Sequence, residues 1–470
     1  MSTFGGLNAA MSGLNAARAA LETAGNNIAN VNTPGYTRQR ADIAAIGPTA
    51  TMGLLSGGPR VSQGAAIVGI ARLADGQLDA RVRGTGAAAG LADTRAAGLS
   101  NIEGMLREPG EQGLSALLNK FWAGWQGVAN QPGGAAPAAT VLESARNVAT
   151  RLSSSRAELE GQWNQERSSL DSTVSELNTA AGQVAALNGS IRSVTAAGGN
   201  ANELLDRRSA LTTRIAELAG GTVREAGDGT IDVLVGGNAL VSGTTARAVV
   251  VAGGIAMGAA APTVEWAHRP GGALGADGGR LAGSLSLLAP SDGAGTGGAY
   301  AETAAALDGV ARSLSDQVNA VHAGGTTADG RTGLDFFSYD AANPAASLAV
   351  LATGARDLAT RSPGGATLDG SNADRLSGLS GAAGGPDALW SSIVLGVGLS
   401  AQSEAQQSVV AAVAATSAAA QQQSGAGVSL DEENVALLAH QHAYQGAARV
   451  MTAIDEMLDT LINRTGVVGR

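Results

Sequence analysis

Apolar residues recur at seven-residue spacing near both ends of the chain, and this repeat sets the strongest limit on its fold. The repeated residues are Leu7, Leu14, Leu21 and Ile28 near the start, and Leu437, Tyr444, Met451 and Leu458 near the end, with Ile454 and Leu461 on a second line beside the latter. Such a repeat places its members on one narrow stripe of an α-helix, as in a coiled coil. The sequence therefore predicts a terminal helix at each end, each with a narrow apolar seam.

The first seam is followed by a turn signal. Pro34 disfavours helical conformation at Thr33, and the pair Pro34-Gly35 suits the central positions of a type II turn. We expect the first helix to end just before this turn.

The last helix has an equally clear start. Ser429 and Glu432 have the S-x-x-E spacing of a capping box. The first turn is acidic, which favours the helix dipole, and its acidic residues are Asp431, Glu432 and Glu433. These features predict a helix that begins immediately after Ser429.

The middle of the chain combines helical patterns with one strand-rich stretch. Helices are predicted around Trp122 and Trp125, between Pro137 and Gly198, before Gly220 and before Gly324. Between 222 and 251, short β-branched runs separated by glycine-containing turns predict strands. Residues 325–385 are glycine-rich and weakly patterned, which indicates loops and short elements.

We therefore expect a mainly α fold with a small β-rich subdomain. Terminal coiled-coil-like helices would pair into one domain, a helical bundle would form the middle domain, and a small β region would form a third part. The predicted boundaries are 1–45 with 415–470 for the terminal polymerisation domain, 46–220 with 296–414 for the mainly helical middle domain, and 221–295 for the β-rich subdomain.

Composition narrows the possible functions. The net charge of -10, a single lysine and the absence of a basic run argue against nucleic-acid binding. No apolar run approaches the roughly 20 residues that span a bilayer, so we expect no membrane insertion. The first residues lack a basic region followed by an apolar stretch, so no cleaved signal peptide is expected. The chain has no cysteine, which excludes disulfides and thiolate chemistry.

The sequence has no residue pattern typical of an active site. His440 and His442 are two residues apart on a predicted helix and so point to different faces. The segment from Gly84 to Gly90 misses the spacing of a phosphate-binding loop, and we interpret it as the flexible start of a helix. Trp122 and Trp125 lie on an apolar stripe typical of a core. We predict no enzyme activity, no catalytic residue, no cofactor and no metal site.

The narrow seams allow two interpretations. The terminal helices could pair with each other inside one domain, as in many proteins. Alternatively, the seams join copies of the chain. Ordering a residue costs about 1–2 kcal/mol, while burying a large apolar side chain returns about 1.5–3 kcal/mol. A helix of some thirty residues with one stripe therefore needs neighbours to be stable. This second interpretation predicts that the seam residues form an assembly interface.

The turn after the first helix resembles a motif of flagellar rod, hook and hook-associated proteins. The segment reads Ala29-Asn30-Val31-Asn32-Thr33-Pro34-Gly35-Tyr36, and the Thr37-Arg38-Gln39 that follows is similar to the family of hook-associated protein 1. At the other end, Leu430-Asp431-Glu432-Glu433 resembles the C-terminal signature of the same family. The residues that carry these motifs are Asn30, Asn32, Pro34, Gly35, Tyr36, Leu430, Asp431, Glu432 and Glu433.

The resemblance continues between the two ends, for example at Asn202–Arg208, and so spans nearly the whole chain. One departure is the pair Gly425-Ala426, which we expect to make the entry to the last helix flexible.

The resemblance implies a structural, axial component of the bacterial flagellum that lies outside the cell. Copies of the chain would form a ring joining hook to filament. The resemblance implies that their terminal helices form an inner domain packed into a tube, that the helical middle domain surrounds it, and that the small β region faces outward. The implied partners are other copies of the chain, the hook protein, the filament-side junction protein, and an export chaperone that covers the C-terminal helix. Passage through the flagellar export channel would require no cleaved signal.

Two other functions remain open. The chain could be another axial part, such as hook or distal rod, although the run from Leu430 to Leu461 fits those less well. It could also be a secreted enzyme fused to an axial protein, which would require a domain-sized insertion with convergent acids, histidines or metal ligands.

If the seams need neighbours, both ends of the free chain should be loosely held. We expect limited proteolysis of the monomer to trim both termini and leave a stable middle, and we expect terminal amides to exchange hydrogen faster than those of the core. Equally slow exchange at the ends and in the core would contradict this interpretation.

Overall fold

The computed structural model describes residues 3–47 and 64–464, so residues 1–2, 48–63 and 465–470 of the predicted domains lie outside the described residues. The helices are α1 (Thr3–Ala29), α2 (Gly76–Leu106), α3 (Leu114–Asn130), α4 (Ala135–Ala196), α5 (Asn202–Ala219), α6 (Gly279–Leu288), α7 (Ala299–Ala323), α8 (Pro344–Ser347), α9 (Ser371–Ser377), α10 (Pro386–Ala426) and α11 (Leu430–Asp459).

The strands are short. They are β1 (Gln39–Ala45), β2 (Ala65–Arg72), β3 (Thr222–Glu225), β4 (Ile231–Val235), β5 (Asn238–Ser242), β6 (Thr245–Ala246), β7 (Val249–Ala252), β8 (Thr263–Trp266), β9 (Arg269–Ala273), β10 (Phe337–Ser338) and β11 (Ala349–Val350). A mainly α fold with a small β-rich part is thereby confirmed.

The central element is α4, a helix of 62 residues that packs against α3, α5, α6 and α7. Its completely buried side chains recur at helical spacing and include Leu152, Leu159, Leu170, Leu177 and Val184. As predicted, the helix stops just before Gly198, which has a φ of 73°. Glycine reaches this left-handed region without steric cost, so it suits a helix end.

An aromatic group fills the core beside α4. Trp125 on α3 contacts Phe336 with ring centroids 5.2 Å apart, and Phe121 lies 5.8 Å from Phe337. Trp122 is 4 % exposed and Trp125 is completely buried. The prediction that these two tryptophans belong to the core is confirmed.

Two antiparallel sheets form the β-rich part, with strand orders β3-β4-β5-β6 and β7-β8-β9. The first is joined to α4 by Asn188, whose buried side-chain amide donates to the carbonyls of Ile231 (2.8 Å) and Gly243 (2.7 Å). The same amide's oxygen accepts from Arg208 at 2.9 Å. The buried side chain of Asn188 thus links α4, α5 and the first sheet.

A separate hairpin of β1 and β2 packs beside α1, and the sequence patterns do not indicate it. The two strands pair from Gln39 with Arg72 to Ala45 with Ala65. Ile43, Ile67 and Val68 remain exposed, so the hairpin lacks the alternation that marks a half-buried strand. A two-stranded hairpin is marginal in water, and its contact with α1 supplies the missing support.

The helix α10 lies antiparallel along α2. Arg95 binds Glu404 at 2.6 Å, while Arg81 donates to Gln421 at 2.7 Å nearer the other end. Two expectations are wrong here. The segment from Gly84 to Gly90 lies inside α2 because Asp75 caps the helix earlier, accepting from Gln77 and Leu78. The pair Gly425-Ala426 forms the last turn of α10 and not a flexible entry to α11.

Burial of His322 generates a prediction about pH. Its Nδ1 lies 2.7 Å from the Leu334 carbonyl oxygen, and its Nε2 accepts from the Ala359 amide at 3.0 Å. Burial lowers the pKa of His322, and the nearby Leu334 carbonyl, Asp335 and Asp357 oppose this only in part. The folded state therefore binds this proton less readily than the unfolded chain.

Stability from a neutral His322 is present above the unfolded pKa of about 6.5 and is lost as the pH falls below it. We expect the free energy of unfolding to drop between pH 7.5 and pH 5.5, and His322→Gln to flatten that slope. The measurement is denaturant unfolding at each pH, with the exposed His442→Gln as the control. Identical slopes for all three proteins would contradict the expectation.

Candidate assembly interface

The two ends of the chain meet as an antiparallel pair of helices. A side chain at Gly6 would lie 3.2 Å from the Ile454 side chain, while Asn27, at the far end of α1, contacts Glu433 at the start of α11. The buried row of α1 is small: it consists mainly of Ala10, Ala16, Ala17, Ala20 and Ala24. Small side chains let the two helices approach closely.

The predicted seam residues lie beside this row and not in it. Leu7, Leu14, Leu21 and Ile28 are half-buried. On α11, Ile454 is buried, Leu437, Met451 and Leu458 are half-buried, and Tyr444 and Leu461 are 37 % and 54 % exposed. The structure therefore brings the seams together within one chain and still leaves part of their surface in solvent.

Further apolar side chains on α11 lie outside the predicted seam. They are Val435, Leu438, Val450 and Met457, each more than half exposed. Because α11 buries only Glu433 and Ile454 fully, one partner helix covers a small part of its surface. The pair is thus an incomplete helical layer with apolar side chains on its open side.

A cluster of buried polar side chains fixes the base of the pair. The Asn27 side chain is 1 % exposed. Its Oδ1 accepts from the Tyr36 hydroxyl at 2.9 Å and the Gln39 amide at 3.0 Å. Its Nδ2 donates to the Gln39 carbonyl at 2.8 Å and to Glu433 Oε2 at 3.0 Å. One amide therefore ties α1, the following turn and α11 together.

The start of α11 is held by Arg38. Its Nε donates to Glu433 Oε1 at 2.7 Å and a terminal nitrogen donates to Glu432 Oε2 at 2.5 Å. The Glu433 side chain is 3 % exposed, so this ion pair is largely shielded from water and salt. Ser429 caps the helix by accepting from the Glu432 amide, as predicted, but the Glu432 carboxylate binds Arg38.

The same turn is attached to the helical body through Asp206 on α5. One carboxylate oxygen accepts from the Thr37 amide at 3.1 Å and the other from Arg72 at 2.5 Å. The Arg38 amide also donates to the carbonyl of Ala426, the last residue of α10, at 2.8 Å. We call Asn27, Tyr36, Arg38, Asp206 and Glu433 the anchor cluster.

Burial extends the pH range over which the tyrosine of this cluster stays protonated. Burial is the largest cause that raises the pKa of Tyr36 to about 12, followed by the negative charges of Asp206, Glu433 and Glu203. The hydroxyl therefore stays protonated in more alkaline solution than that of an exposed tyrosine, and it donates to Asn27 over that whole range.

The other motif residues shape the turn or lie at its edge. Asn30 donates from its side chain to the Asn26 carbonyl at 3.0 Å and accepts from Thr33 at 3.1 Å. The Tyr36 amide donates to the Thr33 carbonyl across Pro34 and Gly35, and the φ of Gly35 is 77°. This is the predicted type II turn. The remaining motif residues, Asn32, Leu430 and Asp431, are exposed.

Reasoning from spacing alone misses Asn27, Arg38, Arg72 and Asp206 as site residues. The sequence does contain a signal for Asn27, because this polar residue continues, at helical spacing, the row of alanines that α1 buries. Asp206 has none, because it meets Thr37 across 169 positions of sequence.

No metal or membrane site stands out among residues 3–47 and 64–464. This part of the chain has no group of three or more His, Cys, Asp or Glu side chains placed to hold a metal ion. In the same ranges, none of the helices combines the length and apolar character that crossing a membrane requires.

Comparison with known proteins gives three family matches in chain order. Residues 7–37 match the family described as flagella basal body rod protein. Residues 99–337 match the helical domain of the flagellar hook-associated protein FlgK. Residues 419–464 match the C-terminal region of the flagellar basal body rod proteins FlgEFG.

Two proteins with similar sequences carry the name that the family match over 99–337 also indicates. The chain is 30 % identical over 520 residues to flagellar hook-associated protein 1 of Bacillus subtilis, with 100 % of both chains covered. It is 30 % identical over 340 residues to flagellar hook-associated protein 1 of Salmonella typhimurium, covering 71 % of this chain and 59 % of that protein.

A solved structure is similar in fold. The flagellar hook junction protein FlgK from Burkholderia pseudomallei aligns with a TM-score of 0.62 at 15 % identity. The alignment covers 76 % of this chain and 100 % of that one.

Removal of the Asn27 amide should loosen the terminal pair. Asn27→Ala leaves Glu433 and Tyr36 each without one buried partner, at a cost of about 1–3 kcal/mol. We expect amide hydrogens of α1 and α11 to exchange about tenfold faster or more, while those of α4 keep their rate. The neighbouring exposed Asn26→Ala is the matched control. Unchanged exchange in both variants would show that the cluster does not fix the pair.

Proposed function

The chain belongs to the family of flagellar hook-associated protein 1, and we propose that its terminal helix pair assembles copies of it into a ring between hook and filament. The chain is a structural, axial component of the flagellar hook–filament junction. The observation that carries the proposal for the ring is the open side of the terminal pair, with its exposed apolar residues.

The anchor cluster supports a role of this pair as one assembling unit. It holds α1 to α11 and both to the helical body. The cluster holds the base of the pair in register, while the rest of both helices would gain cover, and so become fully ordered, only when neighbouring copies pack against them. Packing of further helices would cover Val435, Leu438, Val450 and Met457, which one chain leaves exposed. We propose the predicted seam residues and these four side chains as the interface.

The family that matches the middle of the chain favours a junction protein over a hook or rod subunit. The matches at the two ends name rod proteins and fit any axial part. The match over 99–337 names the helical domain of the hook-associated protein alone. We therefore propose the hook protein on one side of the ring and the filament-side junction protein on the other.

The exposed apolar side of α11 also fits an export chaperone. More than half of each of the side chains of Val435, Leu438, Val450 and Met457 is in contact with solvent in the single chain. A partner that covered them before assembly would prevent early association. We propose that such a chaperone binds α11, and that the chain then leaves the cell through the flagellar export channel without loss of a signal peptide.

We propose that the protein works by assembly and has no enzymatic activity. A fused secreted enzyme would need a domain with convergent acids, histidines or metal ligands. The family matches instead assign the middle of the chain to the helical domain of a structural protein.

Charges on the open side of α11 should block assembly but leave the folding of the single chain unchanged. Val450→Asp with Met457→Asp places two carboxylates on side chains that are each 51 % exposed. A buried, unpaired charge costs several kcal/mol, and the cost recurs in every copy. Because the proposed chaperone would contact the same side chains, export of the variant is scored first, by immunoblot of the medium of hook-bearing cells. When the variant is exported, we expect cells to carry normal hooks, lack filaments and release unpolymerised flagellin. Electron microscopy of the hooks and immunoblots of the medium are the measurements.

The matched control is Val250→Asp with Ile255→Asp, two exposed apolar residues of the β-rich part, which should leave filaments normal. Filaments of normal length on cells that carry only the α11 variant would reject the proposed interface. Cells without hooks would instead indicate an earlier role, in rod or hook.

A further inference from the structure

Two exposed methionines lie in the terminal pair. In the part of the chain that the structure describes, the methionines with more than half of their surface in solvent are Met11 on α1 (55 %) and Met457 on α11 (51 %). Met257 and Met451 are half-buried, and Met105 in the core is 4 % exposed. The most exposed thioether groups of the described chain thus both belong to the helix pair that we propose as the assembly unit.

Both methionines lie on apolar surface of this pair. Met11 follows Leu7 by four residues, which places it on the same face of α1 as the predicted seam. Met457 lies one turn beyond the buried Ile454, on the open side of α11. A side chain at Gly6 would lie 3.2 Å from Ile454, so the two methionines lie toward the same end of the pair, away from the anchor cluster.

Methionine supplies all the side-chain sulfur of this protein, because the chain has no cysteine. Peroxides convert a thioether to a sulfoxide, and they reach an exposed sulfur more readily than a buried one. Methionine is flexible and apolar, whereas its sulfoxide is polar and disrupts interfaces that methionine side chains form. Oxidation therefore makes an apolar surface polar without adding a charge.

We propose that Met11 and Met457 are oxidation sites through which a hydroperoxide stops the free chain from assembling. The inference rests on the proposed assembly through the terminal pair, and it adds a covalent modification that controls this assembly.

The reaction consumes one hydroperoxide for each sulfur. A lone pair of the thioether attacks one peroxide oxygen, so an S–O bond forms as the O–O bond breaks. The sulfur is oxidised by two electrons, which reduce the peroxide. When the oxidant is hydrogen peroxide, the transferred oxygen gives up its proton to the departing hydroxide, which leaves as water.

The sulfoxide acts on assembly more strongly than on folding. In the free chain, half-exposed side chains at Met11 and Met457 leave the new oxygen in contact with water, so the helix pair needs no rearrangement. Packing of further helices would bury that oxygen, and a buried acceptor without a partner opposes association. The same packing would shield the sulfur from peroxide. Oxidation thus acts on the free chain and spares the assembled one.

Peroxide treatment of the purified full-length chain tests the two sites. The gain of one oxygen at each methionine is followed by peptide mass spectrometry. We expect Met11 and Met457 to react at least about tenfold faster than the buried Met105, with no change in helical content by circular dichroism. Equal rates at the three positions, or a loss of helical content as Met11 and Met457 react, would overturn the inference.

Binding to isolated hooks tests the consequence. Peroxide is removed before mixing, the bound fraction is measured by sedimentation and immunoblot, and each protein is compared with its own untreated sample. We expect peroxide to lower binding of the unchanged chain at least about tenfold. Leucine has a similar volume and no sulfur, so Met11→Leu with Met457→Leu should stay within about twofold of its untreated binding. The matched control Met257→Leu should lose binding as the unchanged chain does.

The outcomes separate this inference from the proposed function. Undiminished binding of the oxidised chain, or an equal loss in the double leucine variant, would overturn the inference and leave the proposed function intact. An untreated chain that fails to bind hooks would instead reject the proposed function, and the inference with it.

Discussion

The hydrogen bonds of Asn27 fix how the two ends of this chain fit together. Alanine rows such as that of α1 pack closely but carry little positional information, because a shift by one helical turn brings alanine against similar surface. A buried amide that meets a carboxylate is different, since a shift leaves both groups unpaired at a cost of about 1–3 kcal/mol or more. The contact of Asn27 with Glu433 thereby sets the register of α1 against α11, as a buried asparagine does in coiled coils.

This constraint extends from the terminal pair to the rest of the molecule. Glu433 binds Arg38, the Arg38 amide donates to the end of α10, and the adjacent Thr37 amide donates to Asp206 on α5. A force applied to the terminal pair would pass to the helical body through these few bonds. The body itself has a separate, continuous core from α3 through α4 to α7, so it does not depend on the pair for its own folding.

Local signals in the sequence predicted much of the fold. Pro34 and Gly35 predicted the turn after α1, Ser429 the start of α11, and the glycine at 198 the end of α4, because each residue restricts or frees its own backbone. The seven-residue repeats predicted terminal helices but not the face by which α1 meets α11. That face is made of alanines, which a search for large apolar residues passes over. The contact of Asp206 with Thr37 depends on tertiary packing, and no pattern along the chain encodes it.

On the proposal that the terminal pair joins copies of the chain, its open side explains how copies would stay apart in solution and associate in an array. Val435, Leu438, Val450 and Met457 are each more than half exposed, so two isolated chains would bury only a few large side chains against each other. Much of that contact energy would offset the loss of free motion when only two chains associate. In an array, each added copy would lose its free motion once and meet several neighbours, so association would become favourable where other copies are already in place.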